Sequence, residues 1–199
     1  MKKIHFGFLI LSISVLLMAD VKIIEADSNV DYGDSQEVYD TIDPRDVTEV
    51  IVLYNEGDGL LQEIIDYLPE YKVKYSHRSV PFNSHYTYFK SVSWVRRFHN
   101  ESNQYEWTLS LVPKNPKSLG PNNLGGVAWS TVIQNYAYDS HPTMMSINNP
   151  TGKAGSMYNQ YVCHYNFANS KPQWNLEPRR KNVGAIKNFL NGCNSPFYN

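Results

Sequence analysis

Cys163 and His164 are adjacent, and a thiol next to an imidazole is the pair that a cysteine nucleophile needs. Neighbours on a helix point about 100° apart, so adjacency alone does not make a dyad. Cys163 and Cys193 are the only cysteines in 199 residues. An even pair in an oxidising compartment reads as one disulfide. It would close a loop of about 31 residues, worth roughly 3.7 kcal/mol in the chain-entropy description. His164 then remains as a general acid or base. Glu177 is the nearest carboxylate in sequence, Trp174 lies between them, and Arg180 follows. His164, Glu177 and Arg180 are therefore the catalytic candidates of a secreted hydrolase or toxin. The commoner outcome for such a residue is a half-buried histidine bonded to a loop carbonyl.

A second chemistry is anion binding. Arg179, Arg180 and Lys181 are expected to open the last helix, with Lys187 further along. Basic charge at a helix start opposes the dipole by a few tenths of a kcal/mol, so these four residues are candidates for an anionic ligand. Arg96 and Arg97 fall on opposite faces of a strand, where only one easily reaches solvent. The mature histidines His77, His85, His99, His141 and His164 have no metal-ligand spacing, and no metal or cofactor is expected. No HExxH, GxSxG, P-loop or Rossmann glycine pattern occurs.

The elements that must carry these residues follow from periodicity. Val47–Tyr54 is a β-branched strand. Leu60, Leu61, Ile64, Ile65 and Leu68 recur at helical spacing up to Pro69, and Tyr71–Ser76 alternates as a strand. Tyr86–Phe98 and Gln104–Val112 flank HNESN as a hairpin. In its second strand Tyr105, Trp107, Leu109 and Leu111 share one face and Glu106, Thr108 and Ser110 the other, which predicts a half-buried strand. The period then lengthens. Trp129, Val132, Ile133 and Tyr136 form one helix, and Met157, Tyr158, Tyr161, Val162 and Tyr165 line a second. A third is expected from about Leu176 to Asn191, with Val183, Ile186, Phe189 and Leu190 inward, Glu177 in its first turn and Gly192 as its stop. These elements predict an α+β fold: an antiparallel sheet (hairpin about 86–112) packed with three C-terminal helices and one disulfide.

Residues 1–26 read as a signal peptide. Lys2 and Lys3 precede the apolar stretch Phe6–Ala19, which is shorter than the roughly 20 residues of a membrane span. Cleavage is expected after Ala26, leaving no integral membrane segment. Residues 27–46 form an acidic leader, extended or disordered; 47–85 form a strand–helix–strand segment, and 86–199 an α+β domain.

The overall net charge of −1 hides a segregation. Residues 27–71 carry 13 acids against Arg45 alone, a net of −12. Residues 72–199 carry 14 bases against Glu101, Glu106, Asp139 and Glu177, a net of +10. Overall neutrality therefore does not exclude an anionic polymer, either a wall polymer or a nucleic acid. Aromatic residues make up 14% of the chain, with 15 tyrosines; this suits a binding surface and a tyrosine-rich core equally.

SMYNQYVCHYNFA, PQWNLEPRR and GCNSP, with SVSWVRR upstream, resemble the signature blocks of an uncharacterised bacterial secreted-protein family classed as a domain of unknown function. The resemblance spans about Phe89 to Pro196. It rests on Met157, Gln160, Cys163, His164, Trp174 to Pro178, Arg180, Cys193 and Asn194. Lys181 stands where the family pattern has a proline. The resemblance implies bacterial export and a disulfide, and it implies no activity. With no catalytic motif in view, the reading is a binding protein that acts at the envelope or on an external host or competitor surface. Its partner is an anionic polymer or a protein.

Overall fold

The computed structural model describes residues 42–76, 88–120, 124–137 and 155–198. The expected signal peptide, most of the expected acidic leader, His77, His85 and His141 lie outside these. The elements are β1 (Val47–Asn55), α1 (Gly59–Tyr67), β2 (Val73–Tyr75), β3 (Phe89–His99) and β4 (Gln104–Pro113). They continue with α2 (Leu124–Ala128), a π-helical turn (Trp129–Ala137), α3 (Ser156–Phe167), β5 (Trp174–Leu176) and α4 (Ala185–Leu190). The strands form one sheet in the order β2-β1-β3-β4-β5. Only the β1–β2 pair is parallel. This is the α+β fold expected.

Local chemistry explains the boundaries. Asp58 caps α1 by accepting from the Leu61 amide (3.1 Å), and Pro69 follows its end. The β3–β4 turn needs a left-handed residue and places Asn103 there, at φ 52°. β1 runs antiparallel beside β3 from Val47↔Arg97 to Asn55↔Ser91. The segment 47–76 therefore shares a sheet with the later strands.

Strand alternation gives the sheet two unlike faces. Val92, Trp94, Leu109, Leu111, Trp174 and Leu176 point to one, where they meet Trp129, Val132, Ile133, Met157 and Tyr161. Two buried polar tips on this side find backbone carbonyls: Trp94 Nε1 donates to that of Ala137 and Tyr161 Oη to that of Leu119, both at 2.9 Å. On the other face, α1 packs Leu61 and Ile64 over Val50, Val52 and Val95.

Three expectations need correction. β4 is not half-buried, because Glu106, Thr108 and Ser110 are as enclosed as Leu109 and Leu111; polar side chains from neighbouring strands and loops cover them. The last helix does not begin near Leu176. That residue ends β5, held to β4 by Leu109↔Leu176, and only Ala185–Leu190 is helical. Glu177, Arg179, Arg180 and Lys181 therefore precede the helix, and Glu177 is in no helical first turn. Finally, α4 does not face as expected: Ile186 and Leu190 are 79% and 74% exposed, Val183 and Phe189 are only partly covered, and Asn188 is buried. The Asn188 carbonyl accepts from the Cys193 amide (2.9 Å) and its Oδ1 from the Ser195 amide (3.3 Å). Those bonds fix which side faces in.

Cys163 on α3 and Cys193 after α4 are bridged, with Cα atoms 5.4 Å apart. Gly192 stops α4 as expected, at φ 61° with its amide bonded to the Phe189 carbonyl.

Candidate functional site

On the face opposite Trp94, where α1 does not reach, the sheet carries Arg97 and His99 of β3, Glu106 and Thr108 of β4, and Glu177 just beyond β5. All five are buried. Glu177 is the hub. Its Oε1 accepts from Arg97 Nη2 at 2.9 Å, and its Oε2 from Arg180 Nε at 2.8 Å. Arg180 also reaches Glu101 (3.0 Å) and the Ser195 carbonyl (2.6 Å), and its guanidinium lies 4.2 Å from the Phe197 ring centre. The chain end is held there by the Arg180↔Phe197 bridge.

The electrostatics follow from burial set against partners. Burial pushes the Glu177 carboxyl up, but the charges of Arg180 and Arg97 more than reverse this and hold it at about 2. Burial draws Arg97 below its ordinary value despite Glu177. Arg180 ends above its own, because Glu177 and Glu101 outweigh its burial. Both arginines stay protonated at neutral pH. Burial, assisted by the two arginine charges, lowers His99 to about 4. His99 is thus neutral, and its 3.8 Å approach to Glu177 is not an ion pair.

Thr108 Oγ1 lies 3.1 Å from Arg97 Nε, 3.2 Å from His99 Nε2 and 3.5 Å from Glu177 Oε1. One assignment satisfies all three contacts. Arg97 and His99 Nε2–H donate to the hydroxyl, and the hydroxyl donates to the carboxylate. Glu106 faces Arg179 at 3.2 Å, and burial raises its carboxyl.

His164 lies one helical turn from Gln160 on α3. The Gln160 amide clamps the Glu177 backbone at both ends, donating to its carbonyl (2.9 Å) and accepting from its amide (2.8 Å). His164 is fully buried rather than half-buried and stacks on Trp174, with centroids 5.9 Å apart and planes 13° from parallel. Burial pulls it to about 4; the Glu177 charge and the Asn175 backbone act the other way. Neither ring nitrogen makes a well-formed hydrogen bond among the described residues.

The catalytic candidates are thus divided. Glu177 and Arg180 share an ion pair, whereas His164 packs against the ring of Trp174. Of the anion candidates, Arg180 is consumed within the cluster and Arg179 is half-exposed beside Glu106. Lys181 is partly covered and Lys187 is open to solvent. Arg96 is exposed and Arg97 buried, as strand parity requires. The sequence reading assigned no site role to Arg97, His99, Thr108 or Gln160. Arg97 stands opposite Glu106 in register, so the signal was present in the cross-strand pairing. Among the described residues no His, Cys, Asp or Glu group could hold a metal ion, and no helix is long and apolar enough to cross a membrane.

The segments SMYNQYVCHYNFA, PQWNLEPRR and GCNSP have physical roles here. Trp174 and Leu176 enter the core, Glu177 neutralises two arginines, Gln160 holds its backbone, and Cys163 and Cys193 tie the helices. No curated protein and no solved structure matches the chain. The family described as "Protein of unknown function (DUF2599)" matches residues 89–196, from the start of β3 to just beyond the bridge, and over this more than half of its length the chain belongs to that family.

Proposed function

We propose that the chain is an exported bacterial protein that acts by binding at the envelope or at an external host or competitor surface. One observation carries this reading. Glu177 and Arg180, the pair best suited to chemistry, are 1% and 4% exposed and saturated by one another and by Arg97, Glu101 and Ser195. A carboxylate held at about 2 is a poor general base at neutral pH. The cluster thus serves the fold and leaves the surface as the working part. Export is supported by the basic and apolar residues 1–26 and fits the disulfide.

The test incubates the chain from residue 27 with peptidoglycan, teichoic acid, nucleic acid, lipid vesicles and glycan arrays, scoring retention and product release together. Retention without turnover is expected. Cleavage that disappears in a folded His164→Ala variant would overturn the reading in favour of a hydrolase.

A further inference from the structure

The exposed side of α4 is apolar where a surface helix should be polar. Residues at 186 and 190 lie one turn apart, so Ile186 and Leu190 form one ridge. Lys187 falls on the same outward arc. Phe167, 57% exposed at the end of α3, extends the ridge through its ring contact with Phe189, whose centroid is 4.1 Å away. The disulfide joins the two helices beside it. The ridge is held outward by the Asn188 bonds, so it is a fixed feature of the fold.

Charge identifies what covers it. Residues 89–196 carry 11 bases against four acids, a net of +7. Three of those acids, Glu101, Glu106 and Glu177, already face Arg180, Arg179 and Arg97; the fourth, Asp139, lies outside the described residues. Around the ridge itself, residues 155–198 carry five bases against the buried Glu177 alone, a net of +4, and the exposed Lys187 stands on the ridge. Apolar anchors among basic side chains match a surface with anionic head groups over an apolar interior.

We propose that Phe167, Ile186 and Leu190, with Lys187, form a docking face for an anionic lipid bilayer, which the protein binds peripherally. This rests on the binding reading above and names its partner class. Phe167 and the α4 ridge would enter the head-group region while the sheet stays in water.

Sedimentation with vesicles of phosphatidylcholine, with and without one-third phosphatidylglycerol, tests it using the chain from residue 27. Binding to the anionic vesicles should exceed that to neutral ones by about tenfold and weaken with salt. Ile186→Glu with Leu190→Glu should lower partitioning at least about thirtyfold, and Lys187→Gln about fivefold. Ile186→Leu should preserve it. The altered side chains are exposed, so far-UV circular dichroism should be unchanged in each variant. Three results would overturn the proposal. One is equal binding by the double-Glu variant and the unaltered chain. Another is a self-association in analytical ultracentrifugation that the double-Glu change abolishes without any vesicle binding, which would assign the ridge to a second copy. The third is retention on wall polymers with none on vesicles, which would leave the binding reading standing and remove this one.

Discussion

Glu177→Gln isolates the charge at the centre of the sheet's polar face. The amide keeps the shape of the carboxylate, yet Arg97 and Arg180 lose their shared counter-charge while staying buried. Native Glu177 sits at about 2 against an ordinary 4.5, a difference of roughly 2.5 pH units. At about 1.36 kcal/mol per unit this gives roughly 3 kcal/mol of stability from its ionised form. Removing one member of a buried ion pair independently suggests about 3–5 kcal/mol. The sign follows from the depressed value. The contribution is complete above about pH 5.5, begins to fade as the pH falls through 4.5, and is lost below about 2. Urea unfolding of the two proteins between pH 6 and 8 should therefore show a constant gap of about 3 kcal/mol with an unchanged m-value. Adding Arg97→Met to Glu177→Gln should cost less than the sum of the single changes, because one stranded charge leaves with its partner. A gap below about 1 kcal/mol at pH 7, or one that drifts between pH 6 and 8, would refute the central role given to this carboxylate.

Other outcomes follow from the same structure. Cys163→Ser with Cys193→Ser should cost roughly 3.7 kcal/mol in guanidinium melts; an unchanged midpoint would show that the bridge constrains nothing. His99 and His164 are both held near 4, so the unfolded chain takes up their protons first. Stability should fall as the pH drops from 6.5 towards 4, at about 1.36 kcal/mol per pH unit for each. His164→Phe, which keeps a ring on Trp174, should halve that slope in urea titrations at pH 5, 6 and 7. A chain beginning at residue 72 loses β1 and exposes the edge of β3, so its thermal unfolding should lack a cooperative transition. A chain beginning at residue 42 should retain one by calorimetry.

Periodicity exposed most of the strands and helices but hid β5 and the orientation of α4. β1, α1, the hairpin and α3 emerge directly from their apolar spacing. β5 does not, because Trp174-Asn175-Leu176 is too short to display a period. α4 reads backwards because its orientation is decided by Asn188 bonding to residues 193 and 195, a tertiary constraint that no helical pattern encodes. The site was legible at Glu177 and Arg180 as residues and invisible as an arrangement. The polar side of β4 was read as solvated, since alternation cannot distinguish water from a facing arginine. Charge segregation along the chain was real as arithmetic, but β1 lies inside the sheet, so the acidic and basic halves are not separate bodies.

The hold on Arg180 also orders events in time. Its partners come from Glu101, Glu177, Ser195 and Phe197, so the shell around it closes only when the segment after α4 has arrived. Until then Arg97 has no counter-charge to justify leaving water, and β4 lacks its outer neighbour. Contacts spanning about eighty residues form late and favour slow folding. A ribosome-bound chain would thus remain open until residues 195 to 197 have emerged. Cys193 belongs to the same late segment, so closure of the shell and oxidation of the cysteines fall together.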